Sequence, residues 1–372
     1  MTTLSEEEFY LLALNSVEGI GAIRANLLLN KFETSKNIFE INSKEIKSNK
    51  QSIPEKIIDQ ILSKTTLKNA EEEINFCQKN NIDIVTIHSK EYPSRLKFME
   101  DRPLILFKKG NIYPNIKKTI AIVGTRKSTE YGHKFLENFF AELASVQDLA
   151  VISGLAHGID YKGHSLSIEH KIPTIAVMGL ALNKIYPSQN TNLAKNILKE
   201  NGGWLTETNS TDKTTQGVFP RRNRIIAGLS DVLFVVETDV KGGSVITAHL
   251  ANEYSKEVFA LPGRITDAQS RGCNDLIQKN LAQIVNSPSD IIDFMNWQSA
   301  SNKKISKAIE IDFEGSANQK KVLDLIRVHP KIELEKISND SQIPHSQLVE
   351  ILLELELEGW IHTLPGNKYE LI

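Results

Sequence analysis

The chain has 372 residues, a length that accommodates two or three domains. Hydrophobic residues make up 40% and charged residues 24%, a globular balance that excludes a disordered tail or a collagen-like repeat. Lys and Arg number 44 against 46 Asp and Glu, a net charge of -2, so no polycation grips nucleic acid with its whole surface and any polyanion site must be a local patch. Cys77 and Cys273 are far apart and form no CxxC pair, so neither a disulfide framework nor a thiolate metal site is expected and a reducing compartment is the default. The start, MTTLSEEEFYLL, lacks the basic region of a signal peptide, and the longest apolar runs are too short to cross a bilayer. A cytoplasmic protein with no membrane partner is expected.

Residues 1–70 carry helical periodicity and no convincing strand. They read as a small helical module of the SAM or helix-hairpin-helix kind. Its turn is Val17-Glu18-Gly19-Ile20-Gly21, followed by Ala25, Leu28 and Phe32. Loop amides in such a hairpin can contact duplex phosphates; a plain packing turn explains the pattern equally well. Arg24 is followed by mostly apolar residues, which leaves a thin electrostatic footprint.

Residues 71–297 alternate short apolar runs with amphipathic stretches. Runs at 120–123, 150–152, 174–177, 204–205, 232–236 and 258–261 are continuous rather than alternating, as in strands buried on both faces. Runs at 82–87 and 104–107 precede them, with Pro93 and Pro103 in the loops. Strand–helix–strand repetition predicts an α/β fold: a Rossmann-like, doubly wound, mostly parallel sheet.

The first motif of this section is Gly124-Thr125-Arg126, between a strand and a helix. Ligands of open α/β sheets sit beyond such carboxyl ends, and a helix start favours an anion. Arg126 adds a planar fork that matches phosphate. The competing reading is a plain turn with a solvated arginine. GxGxxG is not met, so NAD and other dinucleotide cofactors are not expected.

Ser153-Gly154-Leu155-Ala156-His157-Gly158-Ile159-Asp160 places Ser, His and Asp close together, but triad members usually converge from separate elements, and the GxSxG elbow is missing. Ser153 and Gly154 instead read as part of a second Gly-rich turn beside the same pocket. Asp160, His164 and His157 read as a polar helix face rather than a metal cluster. No catalytic residue, cofactor or metal is assigned.

The run Phe219-Pro220-Arg221-Arg222-Asn223-Arg224 lies in a stretch, 213–230, with Lys213, three arginines and no acid, a local charge of +4. Pro220 fits the first turn of a helix, where cations oppose the dipole unless an anion sits between them. The alternatives are a phosphate site and a solvated basic face. Phe219 beside the arginines adds a base-stacking surface, the combination expected for single-stranded nucleic acid. Lys241-Gly242-Gly243-Ser244, also before a helix, is a weaker signal of close backbone approach.

Residues 298–318 read as a polar linker, and 319–372 as a winged-helix outline: three helices and two strands around Pro365-Gly366-Asn367. Residues 319–372 hold six Lys or Arg and nine Asp or Glu, and Glu350, Glu354, Glu356 and Glu358 fall on the would-be recognition helix. A duplex reader needs cations there, so the module reads as a protein contact.

Together these residues resemble the DNA-processing protein A family (DprA, also called Smf). The matching segments are Ile122-Val123-Gly124-Thr125-Arg126, Ser153-Gly154-Leu155-Ala156 with Gly158-Ile159-Asp160, Ile185-Tyr186-Pro187, and the run Phe219-Pro220-x-Arg222-Asn223-Arg224-Ile225-Ile226-Ala227-Gly228-Leu229-Ser230. Gly242-Gly243-Ser244 with Thr247-Ala248, and Ala260-Leu261-Pro262-Gly263, complete the set. The resemblance implies a non-catalytic protein that binds single-stranded DNA, displaces single-strand-binding protein, loads the RecA recombinase during natural transformation, and acts as a homodimer. By position it implies that Gly124, Thr125 and Arg126 hold DNA backbone and base. Arg222, Asn223 and Arg224 would form a basic wall, and Gly242, Gly243 and Ser244 the opposite rim. His157 departs from the arginine more common in the family. The competing class is a phosphoribohydrolase of the lysine-decarboxylase-like type, with the pattern PGGxGTxxE. Here the run from Gly242 to His249 lacks the second Gly-Thr pair and the glutamate that would act as base.

Overall fold

Each apolar run of the middle section forms a strand in the structure, a computed structural model that describes residues 4–40, 54–112, 115–212, 217–297, 315–328, 332–364 and 368–371. The strands are β1 (Asp83–Thr86), β2 (Ile105–Gly110), β3 (Lys118–Val123), β4 (Leu149–Ser153), β5 (Thr174–Val177), β6 (Gly203–Thr206), β7 (Val232–Val235) and β8 (Glu257–Ala260), with a two-residue edge strand β9 (Gln283–Ile284). They form a nine-stranded sheet in the order β1-β2-β6-β5-β4-β3-β7-β8-β9. The pairs from β6 through β9 are parallel, and β1 and β2 add antiparallel at the β6 edge.

The continuous apolar runs follow from burial on both faces. Ile120 and Ile122 of β3 pack with Phe139 and Phe140, while Ala121 and Val123 pack with Ile225 and Ala248 on the other side. The helices that supply these layers are α6 (Glu130–Leu143), α7 (Ile159–Glu169), α8 (Thr191–Lys199), α9 (Val218–Leu229), α10 (Gly243–Glu253), α11 (Arg271–Gln278) and α12 (Asp290–Phe294).

Before the sheet come α1 (Glu6–Asn15), α2 (Ala22–Phe32), α3 (Ser35–Glu40), α4 (Glu55–Ser63) and α5 (Thr65–Lys79). The expected boundary at residue 70 falls inside α5, and Met1–Asn302 forms one compact unit. The N-terminal helices are therefore not a separate body. Leu11, Leu12, Ala13 and Leu14 are buried on every side of α1, and a few short helices cannot cover such a residue run alone. Ile105, Phe107 and Trp204 of the sheet complete that core. Glu8 joins the two parts: it closes a capping box with Ser5 and accepts a hydrogen bond from Thr86 Oγ1 at 2.7 Å.

Lys303–Ile372 is the second unit. It holds α13 (Ala317–Val328), β10 (Ile332–Glu333), α14 (Leu334–Ser341), α15 (His345–Leu357), β11 (Ile361–Leu364) and β12 (Lys368–Leu371). The three strands pair in the order β10-β12-β11, so the wing gains a short strand that the sequence did not reveal. The turn Pro365-Gly366-Asn367 and most of the expected linker lie outside the described residues. No described helix is long and apolar enough to cross a membrane.

Candidate nucleic-acid interface

The chain leaves β6 on one side of the sheet and returns as β7 on the far side of β3. Connections from β3 and β7 therefore diverge, and a crevice is expected at their carboxyl ends. Glu237, just beyond β7 and 1% exposed, fills it. Thr125 N donates to the Glu237 carbonyl at 2.6 Å, Thr129 N donates to Glu237 Oε2 at 2.9 Å, and the Thr129 hydroxyl donates to Glu237 Oε1. The carboxylate thus sits on the positive end of α6. The Gly124-Thr125-Arg126 turn does place an anion at a helix start, and the anion belongs to the chain itself.

The second turn repeats the device. Asp160, in the first turn of α7, accepts from Gly154 N at 3.2 Å and Ala156 N at 3.3 Å. Arg222 reaches in from α9, and its Nη1 donates to the carbonyls of Gly154 at 2.6 Å and Val177 at 2.5 Å. A Cβ on Gly154 would lie 2.1 Å from that nitrogen, so only glycine leaves the arginine room. Burial pushes the Asp160 carboxyl above the usual carboxylate range, while Arg222 and the two amides pull it down. Ser153 is fully buried and donates to the Ile122 carbonyl at 2.6 Å; it supports the turn from below rather than facing the crevice. His164 lies deeper, with Nδ1 2.7 Å from Thr174 Oγ1, and burial pushes its pKa down to about 3, so it is a neutral core group. Among the described residues, no group of three or more His, Cys, Asp or Glu side chains could hold a metal ion.

The arginine-rich run does not form the solvent-facing wall that its local charge predicts. Arg222 and Arg224 are both buried. Arg224 pairs with Glu207 and lies 3.7 Å from Asp101, and Arg221 pairs with Glu207 at 2.9 Å. The acid missing from the local sequence arrives from the end of β6 and from the loop before β2. Lys213 lies outside the described residues. Asn223 bridges to α10, its Nδ2 donating to the Gly243 carbonyl at 3.4 Å. Gly124 and Gly242 answer internal contacts: a Cβ on the first would lie 2.5 Å from Ile159, and one on the second 2.0 Å from Thr238 Oγ1. A Cβ on Gly243 would meet nothing within 4 Å. Ser244 is buried, with no hydrogen-bond partner for its hydroxyl among the described residues.

An outer rim remains. Arg126 is exposed, and no described residue forms a hydrogen bond or ion pair with its guanidinium. It is close enough to Arg222 to lower that group's pKa, alongside the larger effect of burial. The loop containing exposed His157 abuts it: a Cβ on Gly158 would lie 2.9 Å from Arg126 Cα. Farther along the edge, Phe219 is half-buried against Gly179, and its ring centroid lies 5.2 Å from that of the half-exposed Tyr186. Sequence reasoning missed Glu207, Asp101 and Glu237. The signal for Glu207 and Glu237 was an acid within two residues of the end of a predicted strand.

Other candidate surfaces carry less. In the α1–α2 turn, Arg24 Nη1 donates to the Gly19 carbonyl at 2.7 Å and Glu18 pairs with Lys56 at 2.8 Å, so both charges are engaged locally. His249, where the phosphoribohydrolase pattern has its glutamate, is exposed on α10.

Comparison with known proteins gives the same grouping. The family model for DNA recombination-mediator protein A matches residues 83–296, and that for the DprA winged helix domain matches residues 311–367. Protein Smf of Escherichia coli strain K12 is 32% identical over 313 residues, 82% of this chain and 81% of that protein. The DNA processing protein DprA of Bacillus subtilis strain 168 is 39% identical over 217 residues, 58% of this chain and 72% of that protein. The solved structure of DNA processing protein A from Streptococcus pneumoniae aligns with a TM-score of 0.64 at 28% identity, covering 78% of this chain and 98% of that one. DNA processing protein A from Helicobacter pylori, solved to examine its single-stranded DNA binding mode, aligns with a TM-score of 0.52 at 29% identity, covering 57% of this chain and 96% of that one. With a family model over more than half its length and a relative matched along most of both chains, the chain belongs to the DprA/Smf family of DNA processing proteins.

Proposed function

We propose that the protein binds single-stranded DNA along the carboxyl edge of its sheet without hydrolysing it, and passes that DNA to the RecA recombinase. The observation that carries this reading is the contrast between filled turns and a free arginine. Glu237 and Asp160 occupy the positions that a ligand phosphate takes at Rossmann turns, which disfavours a small nucleotide inside the crevice. Arg126 stands outside them with no partner among the described residues, on the same sheet edge as Tyr186 and Phe219. A free cation and an aromatic pair along one sheet edge suit a flexible backbone with unstacked bases. Gly243 leaves open space for a strand to approach α10. The DNA-binding mode studied in the Helicobacter pylori relative, and the recombination-mediator description of the family, support the same role. Displacement of single-strand-binding protein during DNA uptake, action as a homodimer and a cytoplasmic location complete the proposal.

Binding of labelled single-stranded and blunt duplex oligonucleotides across a salt series tests it. The expected result is preference for the single strand, with a log–log salt slope of about -0.7 per phosphate contacted. Equal affinity for duplex, a flat salt response, or release of a base from nucleoside monophosphates overturns it. Retention of purified RecA by the DNA-bound protein tests the hand-over separately.

A further inference from the structure

The third helix of the winged domain, α15, has two apolar faces. Leu348, Ile351, Leu352 and Leu355 turn inward and build the domain core with Val322, Ile337 and Ile361. Val349, Leu353 and Leu357 recur every fourth residue on the outer, nearly opposite face and are 45%, 55% and 80% exposed. At 3.6 residues per turn, Glu350 and Glu354 run along one side of this stripe and Glu356 along the other. Glu350 and Glu354 are exposed, and α15 contains no Lys or Arg.

A seam of large apolar residues at this spacing is the contact surface of a helix that packs on another helix. The acids on both sides select what covers it. Duplex DNA would bring phosphates against carboxylates. A second copy of α15 would set one row of glutamates against another, a like-charge juxtaposition that works against pairing. A helix with its own apolar seam and flanking cations satisfies both the area and the charge.

We propose that the outer face of α15 docks a cationic amphipathic helix of a protein partner. The partner's apolar side chains rest on Val349, Leu353 and Leu357, and its Lys or Arg side chains meet Glu350 and Glu354. This proposal does not rest on the DNA reading, so failure of either leaves the other standing.

The test uses the full chain and a fluorescent synthetic helical peptide with leucines at every fourth position flanked by lysines. Two control peptides replace the lysines with glutamates, or keep the composition and shuffle the order. The expected result is binding of the first peptide at least about tenfold tighter than either control, weakened by salt. Leu353→Ser and Val349→Ser, both at exposed positions, are each expected to weaken it about tenfold with unchanged melting temperature. Glu350→Lys is expected to weaken the cationic peptide and improve the acidic one. Equal binding of the shuffled peptide, or unchanged affinity in both serine variants, overturns the proposal. So does sedimentation showing that Leu353→Ser converts a self-associated species to monomer, which assigns the face to a second copy.

Discussion

The turns after β3 and β4 hold the same kind of guest in different ways. At the first, Glu237 rests on the amino end of α6, stabilised by the helix dipole and by the Thr129 amide and hydroxyl. At the second, Asp160 is buried against two amides, and Arg222 comes from α9 to donate to the Gly154 and Val177 carbonyls and to favour the carboxylate by its charge. The turn that recruits a distant cation makes that cation structural. The turn that relies on a helix end leaves its own arginine, Arg126, free for an external anion. Two neighbouring arginines thus have separate roles: one holds the fold and the other faces the ligand.

The largest effect expected from this contrast is on stability. Arg222→Ala takes the donor from the buried Gly154 and Val177 carbonyls and removes the charge that favours the Asp160 carboxylate, and a buried group left unsatisfied costs about 1–3 kcal/mol. Urea denaturation measures it; a loss under about 1 kcal/mol would place Arg222 on the surface with Arg126. Arg126→Ala should do the reverse. Melting stays at the parental value, while single-strand binding falls by roughly 1.5–3 kcal/mol, or about 10–150-fold. Arg126→Lys restores only part, since the charge returns without the planar fork. Wild-type affinity in a folded Arg126→Ala protein would remove the rim from the DNA site.

His164, beneath the second turn, sharpens the comparison through pH. Its pKa falls from 6.5 to about 3 on folding, so below pH 6.5 the unfolded chain binds a proton that the native protein refuses. Its stability contribution is present above pH 6.5 and is lost as pH falls toward 3. Acidification from pH 6.5 to 5 should cost roughly 2 kcal/mol from this group alone. His164→Gln should flatten the slope of stability against pH by close to one proton. An unchanged slope would show that the histidine is solvated. The smallest effect is at Gly243, where an added Cβ would meet nothing within 4 Å. Gly243→Val should leave stability within about 0.5 kcal/mol and weaken single-strand binding by at least about threefold. Unaltered binding would put the DNA path elsewhere.

Much of the architecture was legible because burial on both faces writes itself into the sequence as unbroken apolar runs. Every one of those runs became a strand. The two-residue strands β9 and β10 carry no such run and escaped notice. The boundary at residue 70 misled because composition changes there while packing does not: α5 continues to Lys79, and Glu73 accepts hydrogen bonds from Ser210 N and Oγ beyond β6. In the candidate site, the turns and the arginine cluster were visible as motifs. The direction in which each arginine points was not.

By itself the sequence determined a parallel α/β sheet, glycine turns at its carboxyl edge, an arginine-rich helix start and an acidic winged domain, because these depend on residues adjacent in the chain or repeated at a helical or strand period. The tertiary structure alone decided which charges remain available. Glu207 stands 14 residues before Arg221, and Glu237 stands 108 residues after the Thr129 that it binds. A charge counted along the chain ignores such partners. Coulomb attraction and desolvation act through space, and only the folded sheet, which gathers its strand ends along one edge, brings those carboxylates to the cations and amides that they neutralise.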